Sequence, residues 1–312
     1  MRRYPAQPGE VDYIAGLVFD GVPLVYDALQ NVLRPKGVNV SVCGVFCHQS
    51  PEVDLPNGDA CELGDLLVVY VQTLANGRRM GNALLLQAKK TTTNSFKVPT
   101  SGQAQLDLYR FWPRFNYRGG FLGNAGRDVR PSAPHPGGQY LLIDAAHASW
   151  PGSPGRSSTS ILHPLACCPP APVVVRQKSF EQELFELMTF QSGRSFDSRL
   201  NTGTSVGWSR VVWDLLDVGL NVAFNWSRGG WVNSSRGTPS TLNVSRQYHL
   251  AFATSGDALG VATDVLGGAA ASRLYGLGGD GGEGNGVDTE PDPNSKGISV
   301  ILIELAEPGV QV

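Results

Sequence analysis

Two apolar runs joined by a turn signal constrain this chain more than any other feature in it. Residues 65–74 (DLLVVYVQTL) are dense in β-branched and aliphatic side chains, and 83–90 (ALLLQAKK) stay apolar until Gln87, Lys89 and Lys90. Between them, ANGRRMGN (75–82) holds Asn76-Gly77, a dipeptide that tolerates the positive φ angles of a tight turn. Residues 65–90 therefore read as a β-hairpin. With the turn around residues 77–78, Asp65 falls opposite the region of Lys89. Gln87 and Lys89 are two apart on one strand, so they share a face.

Other segments supply the surroundings. Residues 9–34 read as helix in two pieces, with Val11, Ile14, Ala15 and Val18 at helical spacing and Leu24, Ala28, Leu29 and Val32 after Pro23. Pro35 and Gly37 end them. Residues 38–47 (VNVSVCGVFC) alternate like a strand, with Val38, Val40, Val42 and Gly44 facing one way and Asn39, Ser41 and Cys43 the other. Residues 102–112 (GQAQLDLYRFW) read as a helix with Ala104, Leu108 and Phe111 on one side, stopped by Pro113. A strand follows at 138–146, then a Pro-, Ser- and Gly-rich loop at 147–170. Ser179 to Gln182 form a capping box that opens a helix with Phe180, Leu184, Leu187 and Gln191 on one face, closed by Gly193. A helix at 207–222, a Gly-rich loop at 255–297 and a buried strand at 297–306 complete the chain. The order of helices and strands points to an α/β or α+β layer fold.

A chain of 312 residues that is 41% hydrophobic and 17% charged is no disordered polyelectrolyte, and it has room for one large domain or two modest ones. No run approaches the roughly 18 apolar residues of a membrane helix. The N-terminal MRRYPAQPGEVDY has no apolar stretch behind its arginines, which argues against a secretory signal. Five cysteines make an odd count for a disulfide scaffold. A reducing cytoplasm, with no membrane partner, is the expectation.

The chemistry concentrates on the hairpin. A carboxylate (Asp65), an amide (Gln87) and an ammonium (Lys89) converge at one end of the sheet. Asp65 on one strand, a hairpin, then the triplet Gln87-Ala88-Lys89 resembles the signature of the PD-(D/E)xK restriction-endonuclease-like nucleases. Gln105-Leu-Asp-Leu-Tyr109 matches the Q-x-x-x-Y motif of the RecB-like branch and falls on the helix after the Lys strand, where that branch carries it. The resemblance covers roughly residues 1–146. It implies a central mixed sheet flanked by helices, with a nuclease core at 1–150 and a loop-rich C-terminal extension at 151–312 that either stands apart or belongs to the same unit. It also implies a Mg²⁺- or Mn²⁺-dependent deoxyribonuclease, endo or exo, of prokaryotic antiviral defence or repair, acting as a homodimer or in a larger complex.

The residue types suit phosphodiester hydrolysis, in which Mg²⁺ offsets phosphate charge, acidifies water and prefers hard oxygen ligands. On the resemblance, Asp65, the Gln87 amide oxygen and the Ala88 carbonyl are the metal ligands, and Lys89 holds the water or stabilises developing negative charge. Gln105 and Tyr109 would position the nucleic-acid backbone or the Lys. Gln87 stands where most relatives carry Glu or Asp, and Glu10 or Glu62 could supply the missing charge.

The net charge of −2 argues against a chain-wide basic binder, yet it hides a local one. From Arg78 to Arg130 ten cations face two acids, a balance of +8 between flanks of −5 each. Lys90, Arg110, Arg114 and Arg118 are the candidate phosphate contacts, and the interleaved Tyr109, Phe111, Trp112, Phe115 and Tyr117 are candidates for stacking on bases. Cys43, Cys47 and the adjacent Cys167-Cys168 match no cluster spacing and read as buried thiols. The Gly-rich run 276–286 lacks the Lys-Ser/Thr of a phosphate loop. Two other functions fit the same residues: a catalytically inactive nucleic-acid binder with a nuclease-like fold, and a regulatory protein whose second half binds a ligand or partner.

Overall fold

A computed structural model describes residues 9–47, 51–129, 137–144, 164–199, 205–226, 232–233, 248–254 and 297–309. The chain opens with helices α1 (Glu10–Gly16) and α2 (Val22–Leu33), joined by a π-helical turn at Leu17–Gly21. Pro23 has no N–H for the Phe19 carbonyl, so the ladder loosens where the two helices meet. Strands β1 (Asn39–Cys47), β2 (Glu52–Asp54), β3 (Ala60–Glu62), β4 (Leu66–Thr73), β5 (Arg79–Thr91) and β6 (Ser95–Lys97) follow. Helix α3 (Gln103–Phe111) precedes β7 (Phe115–Tyr117), β8 (Gly126–Arg127), β9 (Gly138–Asp144), β10 (Leu165–Cys168), β11 (Val173–Val175) and β12 (Lys178–Ser179). Then come α4 (Phe180–Met188), β13 (Arg194–Phe196), α5 (Gly207–Trp226), β14 (Val232–Asn233), β15 (Tyr248–Thr254) and β16 (Ser299–Ala306).

The fold is a mixed α/β layer. Its main sheet runs β12-β10-β9-β5-β4-β16-β1-β15-β14, with β13 added to β5. Within it β16 runs parallel to β4, β9 runs parallel to β5, and β4–β5 is the expected antiparallel hairpin. Both faces of the sheet are covered. Leu66, Val68, Leu84 and Leu86 join the core under α1, α2 and α4, while Leu67, Val69, Ala83 and Leu85 join the core with α3 and α5. That explains why the first hairpin strand is apolar without alternation. The two faces of 38–47 divide as expected, Val40 and Val42 entering one core and Cys43 the other, and both are buried because β1 lies inside the sheet, between β16 and β15.

The chain does not divide at residue 150. Strand β16 lies between β1 and β4, and helices α4 and α5 contribute to the two cores, so residues on both sides of that point build one sheet. Segment 165–168, expected as loop, pairs with β9 and buries Cys167 and Cys168. The Gly-rich 255–296, including 276–286, and most of the loop expected at 147–170 lie outside the described residues. No helix among the described residues is long and apolar enough to cross a membrane.

One close approach is testable. A Cβ on Gly44 would stand 2.6 Å from Val22 Cγ2 and 2.9 Å from Val18 Cγ1, so the bare backbone of β1 lets the helical layer seat. Gly44→Ala is expected to cost about 1–3 kcal/mol by overpacking, read as a lower denaturant midpoint at unchanged slope.

Candidate active site

The hairpin register places Asp65 against Gln87. Leu66 pairs with Leu86, and the Asp65 amide donates to the Leu86 carbonyl at 2.9 Å. The turn lies two residues' worth of pairing earlier than expected, because Leu74 and Arg78 close it with a 2.9 Å bond around Asn76-Gly77. Asp65 Oδ2 accepts from the Ala88 amide at 2.7 Å and from Gln87 Nε2 at 2.5 Å. Gln87 Nε2 also lies 3.4 Å from Glu62 Oε2, which brings two carboxylates to one amide group.

Gln87 is 1% exposed and its orientation is set from behind. Its Oε1 accepts a short bond from Gln105 Nε2, and that same nitrogen donates to the Glu62 carbonyl at 3.0 Å. The Tyr109 hydroxyl, fully buried, donates to the Leu63 carbonyl at 2.9 Å. The two residues of the Q-x-x-x-Y motif therefore fasten the 62–65 segment and orient Gln87. They are positioning residues; neither reaches out to a nucleic-acid backbone or to Lys89 in this arrangement. The Gln87 oxygen likewise faces Gln105, and its NH₂ group, not its oxygen, meets Asp65.

The electrostatics follow from this crowding. Burial, reinforced by the neighbouring charges of Glu62 and Glu10, pushes the Asp65 carboxyl up to about 7 against the opposing pull of the Ala88 N–H and Lys89. Glu10 Oε1 accepts the Lys90 backbone amide at 2.7 Å, which anchors α1 to the end of β5. Lys89 borders a cleft of about 280 Å³, with Glu62, Gln105, Cys61, Phe96 and Tyr140 among its lining residues. Tyr140 escaped the sequence reading. It stands beside Gln87 only because β9 pairs with β5 in parallel, and no local pattern announces that pairing.

The residues present fit a hard divalent cation. Asp65 and Glu62 converge on the Gln87 amide, and burial, with the Glu62 charge added to it, raises the proton affinity of Asp65, a penalty that a bound cation would offset. Among the described residues no group of three His, Cys, Asp or Glu side chains is placed to hold a metal, but Mg²⁺ is commonly held by one or two carboxylates together with water and substrate phosphates.

The cationic segment separates into parts. Arg110 and Arg114 are exposed, and Arg110 lies 4.9 Å from the Phe111 ring centroid. Arg118 is exposed and lies 3.6 Å from Asp54, a pair of little energetic weight. None of these three lines the cleft. Arg127 is committed to the core, where it and Arg210 flank the buried Asp214. The expectation of base-stacking aromatics fails. Tyr109, Trp112, Phe115 and Tyr117 are buried, with Tyr109 stacked on Trp112 at 5.9 Å, and only Phe111 is exposed, at 55%. The inward face of α3 carries Gln105, Leu108 and Tyr109, not Phe111.

No family model matches the chain, and no curated protein or solved structure matches it either. The geometry of the site carries the functional argument alone.

Proposed function

We propose that this protein is a metal-dependent nuclease with a restriction-endonuclease-like core, hydrolysing phosphodiester bonds in DNA in a defence or repair role. The observation that carries this reading is the meeting of Asp65 and Glu62 at the Gln87 amide, beside a cleft that Glu62 and Lys89 line, with Asp65 also held by the Ala88 amide. Asp65 and Glu62 would hold Mg²⁺ or Mn²⁺, and the bound ion would supply phosphate charge neutralisation and an acidified water. Lys89 contributes a cation to the phosphoryl oxygens as negative charge develops. Gln87, Gln105 and Tyr109 keep the carboxylates in place from behind, so the site rests on sheet and helix, which hold it more rigidly than a mobile loop would. Lys90, Arg110, Arg114 and Arg118 are assigned to the phosphate backbone, where binding would weaken steeply with salt. The test is cleavage of plasmid, linear and single-stranded DNA, and of RNA, with Mn²⁺ and with chelator.

A second reading rests on Gln87. Its NH₂ group already satisfies Asp65 and approaches Glu62, which is how a neutral amide would settle a site that has given up its metal. The protein would then bind nucleic acid without cutting it. If Mg²⁺ and Mn²⁺ leave both thermal stability and plasmid integrity unchanged, this reading replaces the first.

A further inference from the structure

The cleft beside Asp65 has two unlike kinds of lining. Glu62 and Lys89 bring charge to it, while Phe96, Val98 and Pro99 give it an apolar wall. The metal-dependent chemistry uses the charged groups and leaves that wall without a role. A phosphate set against apolar side chains would lose water and gain nothing in return.

Local structure holds the wall in place. Phe96 lies on β6 and pairs with Val174 of β11, which is fully buried. The Val98 amide donates to the Pro172 carbonyl at 3.0 Å, so the pairing of the two strands continues past Lys97. Phe96 and Val98, two apart, share a face and pack against the core that holds Leu106, Tyr140 and Leu142. Both are only half-buried and Pro99 is exposed, so the wall keeps surface for a ligand. Ala60 and Glu62, both exposed, share a face of β3 and line the same cleft. Burial pushes the thiol of Cys61, another lining residue, up to about 12, so it adds no charge there.

Size and lining together select the ligand. At about 280 Å³ the cleft is slightly below the roughly 300 Å³ at which small-molecule sites begin, which suits one ring system and not a base pair. On a nucleic acid strand, the planar apolar group nearest a phosphate is the base. Within a duplex both faces of that base are covered by its neighbours, and it must be extruded to reach a cleft. In a single strand a face is free, and it stacks on an aromatic side chain with little regard to sequence.

We propose that the cleft is a nucleobase subsite, in which one unpaired base of the DNA strand held at Glu62 and Lys89 lies against Phe96, Val98 and Pro99. The protein therefore takes its substrate as a single strand and not as the interior of a duplex. The inference rests on the nuclease reading for the phosphate beside that base.

The test is fluorescence anisotropy on the full chain at low salt in chelator, where binding is read without cleavage. The probes are a labelled single-stranded DNA oligonucleotide, the same strand in a blunt duplex, and an abasic strand of equal length, which keeps the phosphates and lacks the bases. The single strand is expected to bind at least about tenfold more tightly than either of the others. Phe96→Leu keeps apolar packing against the core and removes the aromatic face, and Ala60→Leu fills the cleft from an exposed position. Each should weaken single-strand binding by about tenfold, leave the duplex and abasic probes unaffected, and melt close to wild type. Absence of single-strand binding, equal affinity for the three probes, or unimpaired single-strand binding by both variants would each overturn the proposal. Parallel incubation with Mn²⁺ separates the two readings. Base-dependent binding with no cleavage would keep the subsite and remove the nuclease, whereas equal cleavage of single strand and duplex interior would keep the nuclease and remove the subsite.

Discussion

Asp65→Asn is expected to abolish cleavage and at the same time to stabilise the metal-free protein at alkaline pH. The substitution keeps an oxygen for the Ala88 and Gln87 donors, which reach Asp65 Oδ2 at 2.7 and 2.5 Å, and removes the charge. The sign follows from linkage. The folded-state pKa of Asp65 is pushed up to about 7, above the roughly 3.9 of an unfolded Asp, so the native state holds the extra proton between those values. Asp65 therefore adds nothing below about pH 4, and it destabilises the fold progressively as pH rises towards 7 and fully beyond it. Relief of that penalty in the Asn variant is on the order of 4 kcal/mol at pH 8 and vanishes near pH 4. Melting curves from pH 4 to 8 in chelator measure it. In the same experiment Mg²⁺ should raise the melting temperature of wild type and leave that of Asp65→Asn unchanged. A variant that melts below wild type at pH 8 and still responds to Mg²⁺ would contradict the site as described.

The second large effect concerns the second half of the chain. A fragment of residues 1–150 is expected to lack a cooperative melting transition. It loses β16, whose Val300, Ile301, Leu302 and Ile303 are buried between β1 and β4. It also loses α4 and α5, which bring Phe180, Leu184 and Leu187 to one core and Val211, Val212 and Leu215 to the other. Removing a central strand exposes unpaired backbone on both of its neighbours, a template for aggregation. Circular dichroism and size-exclusion chromatography of the fragment test this. A soluble monomer with a sharp transition would show that the sheet closes without β16.

Much of this architecture was legible because local chemistry encodes it. Asn76-Gly77 between two apolar runs gives the hairpin, and Ser179, whose Oγ accepts the Gln182 amide at 3.1 Å, gives the start of α4. A turn of unknown length leaves the register open, so the expected pairing of Asp65 with the region of Lys89 is two residues off: the closing bond at Leu74–Arg78 sets Asp65 against Gln87. Non-local pairing was not legible. Residues 297–306 read as a strand, yet nothing in them states that β16 belongs between β1 and β4, and nothing in 138–144 states that Tyr140 will flank Gln87. The aromatics after α3 were misread for a different reason. Hydrophobic spacing cannot see a buried polar residue, so Gln105 went uncounted and the inner face of α3 was turned towards Phe111.

The candidate site was legible as a set of residues and not as an arrangement. Asp65, Gln87 and Lys89 do gather at one end of the hairpin, and Glu62 joins Asp65 at the Gln87 amide while Glu10 binds the Lys90 backbone. The direction of an amide and the burial of a tyrosine depend on what packs behind them. Gln105 and Tyr109 are spent on the Glu62 and Leu63 carbonyls for that reason.

Lys89 offers the most direct test of the nuclease reading, because it borders the cleft and, among the described residues, takes part in no ion pair. Wild type and Lys89→Ala should be compared on plasmid, linear and single-stranded DNA, and RNA, with Mn²⁺, after confirming equal melting temperatures. The account predicts metal-dependent cleavage by wild type and a loss of about 10²–10³-fold in the variant. Equal cleavage by the two proteins, or none by wild type on any substrate, would contradict it.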